Sequence, residues 1–309
     1  MDKKRARIGA FLTLAGGACW GLSGSMGQYL FTVEGMDSSW LVPIRLGLAG
    51  ILLFLYCMVK ERESLFRVWK KPKSAFLMIV YGFIGVSLCQ FFYFLTIQLS
   101  SASIGTILQD LSPVMILFCS CFLEKRMPKR YEILCLFLAL FGVFLIVTHG
   151  DVKELLVSPA ALSVGTLSAV GVTIYNMLTK ELTKECPVVV MQAWSFLMGG
   201  VVLGLFFHPW TVPYVPTAMG YVGIAFVVVV GNILAFTTYI KGVSLIGPSK
   251  GILYGFSEPV TAAIVSVLFL GSHFGIFDFA GFIAIFLMLG LISYHMREDS
   301  QEMEMCTEE

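Results

Sequence analysis

Between residues 8 and 295 the chain is an almost unbroken series of apolar runs of about twenty residues each, separated by short hydrophilic gaps. A helix needs roughly 20 mostly apolar residues to cross the hydrocarbon core of a bilayer, because each residue rises only about 1.5 Å. This spacing predicts an all-α polytopic membrane protein. Composition agrees: 57% of the 309 residues are hydrophobic and 13% are charged, more apolar surface than a soluble domain can bury. Ten spans are expected, over 8–31, 39–59, 75–98, 101–123, 131–149, 158–179, 187–207, 217–240, 247–269 and 276–295. The joints near Ser100 and Gly247 are the least marked. The basic start MDKKRAR resembles a signal peptide, but the run that follows is long enough to span and lacks an A-x-A cleavage pattern. It is read as a retained first helix.

The position of the positive charges turns this count into a topology. Lys3, Lys4, Arg5 and Arg7 precede helix one, and six basic residues from Lys60 to Lys73 follow helix two. Lys125, Arg126, Lys129 and Arg130 follow helix four, Lys180 and Lys184 follow helix six, Lys241 follows helix eight and Arg297 follows helix ten. The odd-numbered gaps hold only Lys153. Lys and Arg collect in cytoplasmic loops, so both termini are predicted in the cytoplasm, with residues 296–309 as an acidic tail. A change of one helix would place basic loops on both faces.

Shifting the chain against itself by 146 residues aligns Tyr93 with Tyr239, Ser103 with Ser249, Gly105 with Gly251 and Pro113 with Pro259. Chance matches between Gly- and Pro-containing apolar helices are the plain alternative, but helix number and loop spacing match as well. The halves are 8–149 and 158–295. Five helices in each make the second copy inverted, the arrangement of secondary transporters with a binding site near the midplane.

The sequence also resembles a known family, the drug/metabolite transporter superfamily and its EamA-type branch with two EamA domains. The resemblance is carried by ACWGLSG at 18–24, PIRLGLAG at 43–50, the stretch from Ala102 to Arg126 and the stretch from Pro248 to Gly271. It implies ten helices and a carrier of a small organic metabolite or drug in the plasma membrane, working outward. Glu124 ends the first of the two long stretches, whereas the second half reads GSHF at 271–274, so the resemblance implies no symmetric role for that acid.

An ionisable group deep in a span costs about 2.5 to 3.5 kcal/mol, and few residues qualify. Asp110 falls near the middle of helix four and Glu258 near the middle of helix nine. In the functional reading they contact a cationic group of the substrate or exchange a proton. In the alternative reading they are structural, paired with Arg45 or protonated. Arg45 can anchor a carboxylate or snorkel to the outer headgroups. Lys250, Tyr254 and Glu258 share one face of helix nine at i, i+4 and i+8, with Lys250 read as an interface residue. Thr106 and Asp110 form a shorter polar stripe. Pro113 and Pro259 are candidate hinges or static kinks. Gln109, Trp20, Tyr93 and Tyr239 complete the candidate site, while Gln90, Asn176, Gln192, Asn232, Tyr81 and Trp194 are read as helix–helix contacts or interface anchors.

Other functions lack their signatures. His149, His208, His273 and His295 lie at span ends and no H-E-x-x-H occurs, so no metal or cofactor is expected. GLSG is one residue short of G-x-S-x-G, and no phosphate-binding loop points to ATP. The basic residues do not form a nucleic-acid face. The expected partners are a small-molecule substrate and the lipid bilayer; proton coupling and a homodimer are compatible with this reading. A membrane sensor or complex subunit is the second reading and a channel the third.

Overall fold

The structure, a computed structural model, describes residues 3–123, 125–148, 157–212, 214–246, 254–255, 257–271 and 275–308. Among these residues there are helices and no strands. The long helices are α1 (Lys3–Thr32), α2 (Ser38–Lys60), α3 (Pro72–Leu99), α4 (Ala102–Leu123), α5 (Arg130–Thr148), α6 (Pro159–Leu182), α7 (Val188–Phe207), α8 (218–246), α9 (Ser257–Phe269) and α10 (Ile276–Glu308). By length and composition α2, α3, α4, α6, α7 and α8 each hold a stretch able to cross a membrane; α9 and the Ile276–Leu291 part of α10 are shorter apolar helices. Glu124, Lys153, Lys250 and two of the repeat identities, Ser249 and Gly251, lie outside the described residues.

The helix starts follow from local chemistry. Asp37 caps α2 by accepting the Ser39 N–H at 2.8 Å, Ser158 caps α6 through Ala161 N–H at 3.1 Å and Thr217 caps α8 through Gly220 N–H at 3.0 Å. The weak joint near Ser100 is a true helix boundary. Ser101 is extended, and its hydroxyl accepts the Ile104 N–H at 3.3 Å to open α4.

Two features depart from the expected regular spans. First, α4 is broken: Ala102–Gln109 ends at a turn over Asp110 and Leu111, and the helix restarts as Ser112–Leu123. Pro113 has no N–H to give, so it belongs in the first turn of a helix rather than its interior. In the second half Glu258 and Pro259 lie in the first turn of α9 as described from Ser257, and residues 254–255 before it are helical too. Second, α3 and α8 each contain a π-helical stretch, Val80–Ser87 and Val227–Leu234. The Leu88 N–H bonds Phe83 O and the Ala235 N–H bonds Val230 O, both i→i−5. The two stretches are 147 residues apart, one off the repeat spacing, within the usual uncertainty of a boundary.

Packing joins the halves intimately. α1 lies against α8 and α9, as α6 lies against α3 and α4; α2 pairs with α7, α4 with α9 and α5 with α10. Exchanging the halves maps this pattern onto itself, as a two-fold arrangement requires. Small residues permit the closest approaches. A methyl group on Gly200 would overlap the Gly47 backbone where α7 crosses α2, and one on Gly21 would come within 2.9 Å of Thr261 Cβ. Outward-facing side chains such as Phe122, Phe137 and Phe206 are strongly exposed, as a lipid-facing surface requires.

Candidate functional site

Arg45 is the eighth residue of α2, about 10 Å along the helix axis, and only 2% exposed. The snorkelling alternative does not hold. The side chain turns inward, where Nη2 donates to Gln90 Oε1 on α3 at 2.8 Å and to Asn232 Oδ1 on α8 at 2.7 Å. The guanidinium carbon lies 3.8 Å from the centroid of Phe94, a cation–π contact strengthened by desolvation. One charge thus ties together the third helix of each half. Both amides lie just past or within a π stretch, where the extra residue in the turn alters which side chains face inward.

Around this guanidinium is a cavity of ≈ 70 Å³ lined by Trp20 and Ser23 of α1, Val86, Cys89, Gln90 and Tyr93 of α3, Gln109 of α4, Tyr175 of α6, Phe236 of α8 and Glu258 of α9. Helices α1 to α4 of the first half and α6, α8 and α9 of the second contribute to it. The volume admits a few waters and is well under the roughly 300 Å³ of a preformed site for a drug-sized ligand. In this conformation the cavity is too small for such a ligand.

The remaining candidates divide clearly. Tyr93 reaches the cavity with a buried hydroxyl that has no partner. Its repeat equivalent Tyr239 packs on Trp20 with ring centroids 4.8 Å apart. Gln109 donates to Ser168 at 2.9 Å and to Cys89 Sγ at 3.2 Å. Asp110 stands in the break of α4 outside the lining, with Oδ2 buried and unpartnered, and within electrostatic range of Glu258. No salt bridge within 4 Å joins Arg45 to either acid among the described residues, which removes the buried ion pair with Arg45 as an account of them. Tyr254 is half-buried but not part of the lining. Thr106 is occupied with the Ala102 and Ser103 carbonyls of its own turn.

Of the neutral polar residues, Asn176 bonds its own helix at Val172 O, Gln192 donates to Tyr81 and Trp194 to Leu65 O, so these serve packing. Gln90 and Asn232 do more, and their role with Arg45 was missed. Ser23, Cys89, Phe94, Tyr175 and Phe236 were not singled out at all. One signal was present: Gln90 plus 146 is Phe236, so one pair of repeat-equivalent positions on α3 and α8 lines the same cavity.

An all-helical bundle of two repeated halves, with apolar outward-facing sides and a cavity walled by both halves, has the architecture of a membrane transporter. The chain belongs to the EamA-like transporter family, which it matches over residues 7–148 and again over 160–294. It is 30% identical over 291 residues to the uncharacterized inner membrane transporter YicL of Salmonella typhimurium, covering 94% of this chain and 97% of that one. It is 22% identical to the uncharacterized transporter YrdR of Bacillus subtilis over 98% of this chain and 96% of that one. A solved crystal structure with 16% identity shares the fold at a TM-score of 0.65, over 96% of this chain and all of the other.

Proposed function

We propose that this transporter is a secondary carrier that moves a small organic solute outward across the plasma membrane by alternating access, with ten spans, inverted halves and both termini in the cytoplasm. The observation that carries the reading is Arg45, a fully buried charge held between amides of the two halves beside a small polar cavity. A site walled by both halves opens to either face when one half rocks against the other. The exchange-symmetric packing and the broken α4 favour such motion, since helix breaks expose backbone only where it lines a cavity or protein interior. Glu258, on the cavity wall, is the group assigned to proton exchange, and Asp110 stands behind it.

The decisive measurement is counterflow in proteoliposomes, using whichever metabolite raises the melting temperature of the purified protein. A carrier gives saturable counterflow; a channel gives flux without it, and a sensor gives neither. Glu258→Gln should abolish counterflow while the protein still reaches the membrane folded. Full activity in that variant would remove Glu258 from the mechanism.

A further inference from the structure

The hydrogen-bond donors around Arg45 outnumber the acceptors the protein supplies. Nη2 spends itself on Gln90 and Asn232, while Nε and Nη1 are buried without a partner. Arginine only donates, so both amides must present oxygen to it. Asn232 is then left with its Nδ2 group buried and unmatched, and the Tyr93 hydroxyl is buried and unmatched as well. Burying unpaired donors is costly, most of all on a charged group, and a membrane protein keeps such groups where something binds. No carboxylate lies within 4 Å of the guanidinium among the described residues. One of its faces is covered by Phe94, and the unmatched N–H groups lie along its edges.

We propose that this cavity binds the carboxylate of an organic monoanion, which accepts hydrogen bonds from the unpartnered N–H groups of Arg45 and from Tyr93. The inference deepens the carrier reading and rests on it. A single guanidinium, alone among the described lining residues in being basic, matches one negative charge; a phosphate dianion calls for more donors of positive charge. The other walls are Trp20, Tyr175, Phe236 and Val86, which suit an apolar or aromatic body. Glu258 shares the cavity without pairing with Arg45, and so frames the competing outcome, a site that selects cations.

The test uses the purified full-length chain in detergent, with thermal unfolding followed against sodium benzoate and phenylacetate, their neutral amides, and benzylamine hydrochloride, each balanced with sodium chloride. The acids should raise the midpoint and bind about tenfold or more tightly than the amides, the ratio expected of one charge-assisted hydrogen bond. Arg45→Gln should erase that preference. Should Arg45→Gln fail to fold, Tyr93→Phe removes a hydroxyl with no protein partner and should weaken the acids several-fold while leaving benzylamine unaffected. Equal shifts from acid and amide, a larger shift from benzylamine, or no shift from either acid would overturn the proposal. Counterflow separates it from the carrier reading. Acids that bind but are not exchanged would sink the carrier and leave the carboxylate site, whereas exchanged benzylamine would keep the carrier and sink the site.

Discussion

At the scale of single residues, the sequence located the unusual charges but not their directions. Arg45 was legible as a buried-depth cation, yet depth alone is compatible with a side chain reaching outward along the helix or inward across the bundle. Its partners are 45 and 187 residues away, and no local pattern reports a contact of that range. Glu132 was overlooked for a different reason: it sits among the basic residues of a loop and reads as a solvated charge. In the structure its side chain is 1% exposed. It receives Arg126 Nη1 and Nη2 at 2.9 and 2.8 Å and the Lys129 N–H at 2.6 Å. Such a forked contact fixes the turn between α4 and α5. Glu132→Gln should therefore cost about 1.5 to 3 kcal/mol, the range for hydrogen bonds to a charged group, seen as a lowered melting temperature of the purified protein. Adding Arg126→Leu to it should cost little more, because the two side chains form one unit.

At the scale of elements, hydropathy placed most helices within a few residues of their observed ends. It could not see irregularities inside them. The π stretches of α3 and α8 consist mostly of Val, Gly, Ile and Phe residues that are equally at home in a regular helix, and only the i→i−5 bonds distinguish them. Each inserts a residue into a turn, so the face presented by Gln90 or Asn232 cannot be read by counting from the helix start. Deleting Ile84 removes the inserted residue, so α3 should return to regular winding with Gln90 still on the face that meets Arg45. The expected result is a folded protein that keeps transport, checked by counterflow beside a melting curve. Lost transport in a folded protein would show that the π turn itself shapes the site. The prolines were legible as special; that Pro113 begins a helix followed from knowing where the preceding segment stopped.

At the scale of the whole molecule, contacts between loops show which helix ends lie together. Lys71, in the loop after α2, bonds Glu185, in the loop after α6, at 2.8 Å, and Glu34, after α1, accepts from Thr217, before α8, at 2.8 and 2.7 Å. The Lys71 partner holds the half-buried Glu185 carboxyl below its ordinary range. These contacts join even-numbered loops to one another and odd-numbered loops to one another, as alternating spans demand. An enzymatic reporter fused after Tyr294 should then be active in the cytoplasm, and activity on the opposite face would overturn the ten-span topology.

The glycines of α1 carry a consequence for genetics. Where Gly17 and Gly21 meet the start of α9, a methyl group on Gly17 would stand 3.1 Å from Gly255 O, and one on Gly21 would run into the Glu258 carbonyl. A saturation-mutagenesis map will thus show these positions as intolerant as the cavity lining, although they touch no solute. Intolerance there measures the thickness of a contact. Expression level tells the two apart, since a wedge between helices depletes the protein whereas an altered lining leaves it abundant and idle.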